Sequence, residues 1–563
     1  MVIGIKSLAR QSCWIGSLGG LTIASTIAPT VAAERVYVSY AFLQLPIQVS
    51  DLERYAQQGQ LPPALATYQP YLKPEQLARL RATLQMQVQV SPQNLTYFLG
   101  TPLGKNLLQR SSAILQSKTR GANPQALQTA LVSAAAEPGG LTVLKVLRKF
   151  PEAEMKIDLQ QGAKILKQVE GLIRQTDAAI ATLDNPASQP VPSQPPSNLA
   201  RLKTWGQPGP YPIQKLTFNL EDKTPKRIQL SQSSRQFPVD LYLPQTSQRK
   251  PSPVVVISHG LGSSRSAYVY FANHLASHGF VVAVPEHPGS SVQYFQALLA
   301  GQVSRDSGAE EFIDRPLDVS FMLDDLKVRS QTDPRLQGRL DLEQVGVAGH
   351  SYGGYTALAL AGATINFNQL QQDCGPALQQ TLNISLFLQC QALSLPPQNY
   401  NFTDARVKAI LTISPITQSI FGPSQLKTLK LPILLLASGA DTITPTLLEQ
   451  LRPFTWLNSP HKYLALIEKA SHFSTVDQLK ADQQVLDTPS QLLGPQPEIA
   501  RSYLQVLGLS FFQTHLLSIP QQETALNASA ARLLSREPLR LSLVEALNLP
   551  PEAKPVAIEA NQP

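Results

Sequence analysis

The chain has 563 residues, room for about three to four domains, though one large α/β domain lowers that number. Its hydrophobic content of 43% and charged content of 15% suit a protein that buries a core, and exclude a disordered chain. The formal net charge of +8 is spread without a dense Lys/Arg block or an aromatic-interleaved basic stripe. That argues against nucleic-acid binding and leaves, at most, peripheral attraction to an anionic membrane surface.

Residues 1–33 read as an export signal. Lys6 and Arg10 supply a positive start, Trp14 to Ala28 is apolar and small, and Val31-Ala32-Ala33 resembles a signal-peptidase site. The apolar stretch is about 15 residues, short for a membrane span. A cleaved signal is therefore expected rather than an anchor, with the mature chain periplasmic or extracellular. Cys13 precedes the apolar stretch, where a lipid-anchoring cysteine does not sit. Loss of Cys13 leaves Cys374 and Cys390. In an oxidising compartment they either close a loop of about 17 residues, which stabilises by about 3 kcal/mol in the chain-entropy model, or remain two buried thiols.

Residues 34–155 are expected to form a helical accessory domain. In "KPEQLARLRATLQ", Pro74 suits a first helical position and Leu77, Leu80 and Leu84 recur on one face. In "ANPQALQTALVSAAAEPGG", Asn123 caps, Pro124 follows, Leu127 and Leu131 face inward and Gly139-Gly140 stops the helix. Residues 156–204 read as a helix followed by the proline-rich linker "DNPASQPVPSQPPSN". From about Trp205 the pattern changes to short apolar runs, "PVVVISHG", "FVVAVPEH", "QVGVAGHS", "VKAILTISP" and "LPILLLASGAD". Continuous rather than alternating hydrophobicity predicts strands covered on both faces, a parallel sheet wrapped by helices over residues 205–520. Residues 364–403 form a Gln-, Leu- and Asn-rich insertion in it, and 521–563 a helical tail.

Function in such sheets collects at the carboxyl ends of the strands. Ser351 lies in Gly349-His350-Ser351-Tyr352-Gly353-Gly354, between an expected strand and an expected helix. Glycines flanking a serine at a sharp strand-to-helix turn predict a nucleophile elbow. A serine hydroxyl needs a base, and in this order of elements the acid and then the histidine follow. Asp441 ends "LPILLLASGAD" and is the expected acid, ahead of Asp404, Glu468 and Asp477, none of which follows a strand directly and precedes the base. His472, in the loop after "KYLALIE", is the expected base. His461 begins that strand instead of ending it, and His515 lies inside a C-terminal helix. The oxyanion donors are expected to be the backbone N–H groups of Tyr352 and Leu261, the latter in "SHGLGSSR". His259 is expected to shape that loop by hydrogen bonding. His287 either lines the pocket or is structural. Glu286 lacks partners at metal-ligand spacing, and Asp324-Asp325 reads as a solvated helix face. No phosphate loop or dinucleotide fingerprint is present, so no cofactor, metal or calcium is expected.

These residues together resemble the α/β-hydrolase superfamily, and more narrowly the plasma-type platelet-activating factor acetylhydrolases and their dienelactone-hydrolase-like relatives. The similarity rests on "SHGLGSSRSAYVYFANHLASHGFVVAVPEH", "GHSYGG", "SGADTITP" and "ASHF" in order, covering about Pro210 to Pro520. It implies a Ser351–Asp441–His472 triad and oxyanion donors at Leu261 and Tyr352. Together with the export signal it leads to the expectation of an exported serine ester hydrolase for small or lipid-derived carboxylic esters. Acyltransferases, thioesterases and peptidases share this machinery, and a binding protein could retain the fold without activity. The segment "ERVYVSYAFLQLPIQVSDLERYAQQGQLPP" is similar to the uncharacterised leading domain of exported cyanobacterial hydrolases. Pro288 stands where the relatives place a basic residue, and the 364–403 insertion falls where a cap would shape an acyl pocket.

Overall fold

The computed structural model describes residues 33–549, apart from 41–42, 67–68, 70–72, 184–198, 247–249, 301, 304–307, 376–377, 379–380, 478–489 and 520–524. Residues 1–32 of the expected signal, with Cys13, and the whole of the proline-rich linker lie outside the described residues.

The leading module has its own core, from Val36, Ile47 and Leu52 through Leu127, Ala130 and Leu147 to Phe150 and Met155. Its helices start as the sequence suggests. Asn123 Oδ1 accepts from the Ala126 N–H at 3.0 Å, and Leu84 and Leu127 are buried. Alongside those helices the module carries a four-stranded sheet that the helical periodicity does not reveal. Strands β1 (Arg35–Tyr40), β2 (Leu43–Gln48), β3 (Leu115–Ser117) and β4 (Glu154–Asp158) are ordered β2-β1-β4-β3. β1 pairs in parallel with β4, Arg35 opposite Glu154, across a separation that no local pattern reports. Within the module lies helix α1 (Pro92–Leu99).

β4 runs directly into the 23-residue helix α2 (Leu159–Ala181), capped by Asp158 Oδ1, which accepts from the Gln160 and Gln161 N–H groups at 3.0 and 3.1 Å. α2 bridges the two units. It packs against β1 and the helix Pro102–Ile114 of the module. Its Ala179, with the following Leu183, is buried in the core of the second unit, and Leu172 and Ile180 pack there too.

That second unit is a nine-stranded sheet. Its strands are β5 (Ile213–Asp222), β6 (Arg235–Pro244), β7 (Ser252–Ser258), β8 (Val281–Pro285), β9 (Leu340–His350), β10 (Val407–Ile413), β11 (Ile433–Ser438), β12 (Lys462–Ile467) and β13 (Leu541–Val544). The order is β13-β12-β11-β10-β9-β7-β8-β6-β5. β7 to β12 pair in parallel, while the β5–β6, β6–β8 and β12–β13 pairings toward the two edges are antiparallel. Alternate residues of one strand feed opposite cores: Val254 and Val256 face one, Val255 and Ile257 the other. Each such buried aliphatic side chain contributes about 1.5–3 kcal/mol, so covering both faces explains the continuous apolar runs.

Two expectations need correction at the edges of this unit. The tail expected to be helical does contain a helix, Ala528–Leu534, but its main contribution is β13, which pairs with β12 and closes the sheet. The first boundary also falls before Trp205, because Leu202 is already buried in the core.

The chain passes from β7 outward to β8 and then back to β9 on the other side of β7. The β7/β9 boundary is therefore the topological switch point, where an open α/β sheet leaves a crevice at its carboxyl edge. Helices α3 (Val269–Ser277), α4 (Val292–Leu299), α5 (Glu311–Thr332), α6 (Tyr352–Leu360) and α7 (Pro497–Leu516) flank the sheet. α1 of the leading module packs on α4. Among the described residues no helix is long and apolar enough to cross a membrane.

Candidate functional site

Ser351 follows the last residue of β9 and precedes α6, with φ 55° and ψ −113°. A non-glycine residue there is strained by roughly 1–3 kcal/mol, a conformation that persists only where its surroundings enforce it. The neighbouring glycines are what make the turn fit. A Cβ on Gly353 would collide with the Ser258 carbonyl at the end of β7, and one on Gly354 would come within 2.6 Å of Pro415 Cβ. The turn thus packs between β7 and the loop after β10, and Ser351 N–H donates to the Ile413 carbonyl at 2.9 Å.

The loop after β7 lies beside it. A Cβ on Gly260 would come within 3.3 Å of Ser351 Cβ and 3.0 Å of His350 Nδ1, so glycine permits the approach. Most polar backbone groups of this loop are taken. Gly260 O lies 2.8 Å from His259 Nδ1, and Gly262 N–H donates to Ser290 O at 2.8 Å. The Leu261 and Tyr352 N–H groups have no backbone acceptor among the described turns and loops. Tyr352, as the first residue of α6, has no acceptor within its helix either.

Asp441 and His472 come together from the loops after β11 and β12. His472 Nδ1 lies 2.8 Å from Asp441 Oδ2. Asp441 Oδ1 accepts from the N–H groups of Ile443 and Thr444 at 2.9 and 2.8 Å, and Gln450 Nε2 donates to Oδ2 at 3.1 Å. Burial pushes the Asp441 carboxyl up, but the His472 ring, with hydrogen bonds from His472 and Thr444, outweighs it and holds the group below the ordinary aspartate value. The pair meets the serine turn through His350, whose ring centroid is 4.7 Å from that of His472. His350 Nε2 donates to the His472 carbonyl at 2.9 Å. Ser351, Asp441 and His472 are all nearly buried.

Other residues singled out from the sequence have structural partners. His259 is held at both ring nitrogens, its Nε2 accepting from the His287 N–H at 3.0 Å. His287 is wholly buried between Ser258 Oγ and Asp318 Oδ2, each at 2.9 Å, and does not line a pocket. Burial, with the nearby Arg315 charge, holds both imidazoles well below the usual histidine range. Glu286 accepts from the Arg265 N–H at 2.9 Å. Asp404 is paired with Arg406, Glu468 with Arg540 and Asp477 with Arg501. Asp324 pairs with Arg406 at the surface, and Asp325 with Arg329. His461 and His515 face one another at 5.5 Å, away from this edge of the sheet. Cys374 and Cys390 are joined, with Cα atoms 5.7 Å apart.

Three groups of supporting residues are missing from the sequence reading. Tyr268 and Tyr270 hold the His472 loop through Thr475, the Tyr270 hydroxyl donating to Thr475 O at 2.7 Å. Glu449, wholly buried on a π-helical turn (Thr446–Leu451), accepts from Asn383, Ser385 and Gln389 of the insertion and from the Thr417 and Gln418 N–H groups. The third is a buried ionic cluster behind the β7 loop, in which Arg227 and Arg235 meet Asp222, Glu311, Asp314 and Asp318. Its signal in the sequence is "EFIDRPLD", which sets Glu311, Asp314, Arg315 and Asp318 at helical spacing on α5.

Comparison with known proteins places similarity on two stretches. Residues 32–158, the leading module and the start of its link, match a family described as alpha/beta hydrolase of unknown function (DUF1400). Residues 220–314 match platelet-activating factor acetylhydrolase, isoform II. The second stretch contains Leu261, His259 and His287 but ends before Ser351. Platelet-activating factor acetylhydrolases of Cavia porcellus, Bos taurus and Canis lupus familiaris are each 30% identical over 154, 157 and 157 residues respectively. These alignments cover 22% of this chain, which spans only about a third (34%) of each relative's length. The chain has the α/β-hydrolase fold, and in sequence it resembles the platelet-activating factor acetylhydrolases over the strands that lead to the β7 loop and beyond it.

Proposed function

We propose that the chain is a serine hydrolase of carboxylic esters, working through an acyl-enzyme. The observation that carries this reading is the strained Ser351 at the switch point, set against Gly260 and linked through His350 to the 2.8 Å His472–Asp441 pair. Ser351 Oγ attacks the ester carbonyl as His472 Nε2 takes its proton. Asp441, kept ionised, holds the Nδ1–H tautomer and stabilises the imidazolium. The Leu261 and Tyr352 N–H groups receive the oxyanion. His472 then protonates the leaving alcohol, and water repeats the sequence on the acyl-enzyme.

The similarity to platelet-activating factor acetylhydrolases favours small or lipid-derived esters as substrates. The chemistry requires no cofactor or calcium. A fluorophosphonate should label Ser351, an ester panel should show turnover, and Ser351→Ala should abolish both while the fold is retained. Labelling at another serine, or full turnover by Ser351→Ala, would reject the assignment. We also propose export, from the residue 1–33 pattern. Terminal sequencing of exported protein should begin near Glu34, and a membrane fraction retaining Met1 would show an anchor instead.

A further inference from the structure

We infer that Arg315 is a positioning residue that locks the two halves of the oxyanion site together. The inference rests on the reading of Ser351 as nucleophile. Arg315 lies on α5 and is fully buried. Its guanidinium reaches three elements that converge behind the site. Toward β7, Nη2 donates to the His259 carbonyl and to Ser258 Oγ. Toward α6, Nε donates to Thr356 Oγ1 at 3.1 Å, and Cζ lies 4.7 Å from the centre of the Tyr352 ring. Toward the turn after β8, Nη1 donates to Ser290 Oγ.

The consequence is specific to the backbone between His259 and Gly262. Arg315 holds the His259 carbonyl at one end, and Ser290 O holds the Gly262 N–H at the other. The Leu261 N–H is presented between these fixed points. The same guanidinium packs on the ring of Tyr352, which carries the second donor. One side chain therefore fixes both donors relative to one another, and misplacing such groups by an ångström is costly in rate.

Stability alone does not account for this arginine. Its hydrogen bonds go to neutral oxygens, and it reaches carboxylates only through relays, Glu311 by way of Ser290 and Asp318 by way of Ser258 and His287. Burial pushes its pKa down to about 10, so it stays charged at neutral pH. A buried cation without a direct carboxylate is a poor stabiliser, whereas a planar fork that reaches several oxygens at fixed angles is a good spacer.

The test uses the full chain, with ester turnover, Ser351 labelling by a fluorophosphonate, and inhibition by a trifluoromethyl ketone, whose adduct carries an oxyanion. Arg315→Met should lower kcat by about 100-fold, the scale of losing one oxyanion donor, with KM within about twofold of wild type. The inhibition constant of the ketone should rise in step with the fall in kcat. Arg315→Lys, which keeps the charge but not the fork, should lose roughly tenfold. Should Arg315→Met not fold, Ser290→Ala removes one acceptor without touching the charge and should show the same signature at about fivefold. A folded variant with wild-type kcat, a loss confined to KM, or unchanged ketone inhibition as kcat falls would overturn the inference. If the wild-type chain neither labels nor turns over any ester, the nucleophile reading fails and takes this one with it.

Discussion

His350 Nε2 donates to the carbonyl oxygen of His472 at 2.9 Å. The residue before the proposed nucleophile thereby holds the backbone of the proposed base, and two loops from different strands act as one unit. His350→Phe keeps a planar aromatic ring, slightly larger, and removes the donor, leaving a buried carbonyl unpaired. We expect kcat to fall about tenfold, equivalent to roughly 1.4 kcal/mol at the barrier, with KM little changed. Steady-state kinetics on any accepted ester would check this, and an unchanged kcat would mean that the loops hold their places without the bond.

Buried neutral histidines make stability depend on pH in a fixed direction. Burial, with the neighbouring His278, pushes His274 down to about 3, far below its usual value of about 6.5 in an unfolded chain. The unfolded state therefore binds the proton first as pH falls. Stability from this group is full above about pH 6.5 and is lost progressively down to about pH 3, at up to roughly 1.4 kcal/mol per pH unit. His274 lies on α3, outside the catalytic machinery. Denaturant unfolding of His274→Phe across this window should show a slope shallower by about that amount, and an unchanged slope would mean that His274 is protonated in the folded protein.

Asp441 binds His472 through an oxygen that also accepts from Gln450. Asp441→Asn should cost on the order of 10⁴ in kcat, by the tautomer argument that holds for such triads. Gln450→Leu leaves the carboxylate in place but removes one donor and should cost roughly tenfold. Near wild-type activity in Asp441→Asn would move the acid elsewhere.

The parallel sheet was legible because strands buried on both faces write unbroken apolar runs, and because β7, β8, β9 and β11 end in a polar or turn-forming residue. Ser351, Asp441 and His472 stood out for the same reason, as polar residues where strands stop. The leading sheet was hidden because β1 and β4 find each other across more than a hundred residues, and strands of three to six residues carry little periodicity. β13 was hidden likewise, by its four-residue length. Arg315 and Glu449 were missed for another reason. Charged residues on helices usually face water, and only tertiary packing shows that these two are buried.

Glu449 ties the insertion to the turn that carries Gln450. One carboxylate oxygen gathers Asn383, Ser385 and Gln389, and the last adjoins Cys390 of the disulfide. Glu449→Leu would strand several buried donors at once and should destabilise by about 3–5 kcal/mol. Glu449→Gln, which retains the shape and one acceptor, should fold and show a changed preference for acyl chain length, because the insertion then seats less firmly. Thermal unfolding and an ester chain-length series measure the two effects. An identical chain-length profile in Glu449→Gln would remove the insertion from substrate selection.

The last prediction separates the leading module from the helix that joins it. α2 packs on the Thr446–Leu451 turn, and its Ala179, with Leu183 just beyond it, shares a core with Leu447 and Leu451 of that turn. Gln450, on the same turn, is the donor to Asp441. α1 packs on α4, which begins immediately after Ser291, and Ser291 bridges to Ser263 beside the β7 loop. The module thus reaches the site by two routes, one toward the acid and one toward the proposed oxyanion loop. A chain starting at Leu199, which keeps the buried Leu202, loses both, uncovers Leu447 and Leu451, and should be poorly soluble or have reduced kcat. A chain starting at Asp158 keeps α2 and its cap but loses α1. It should recover solubility and kcat while its chain-length preference shifts, because only the α4 side of the cleft is released. If the two truncated chains behave alike, α2 is not what supports the acid. If both match the full chain on every ester, the module takes no part in catalysis or selection.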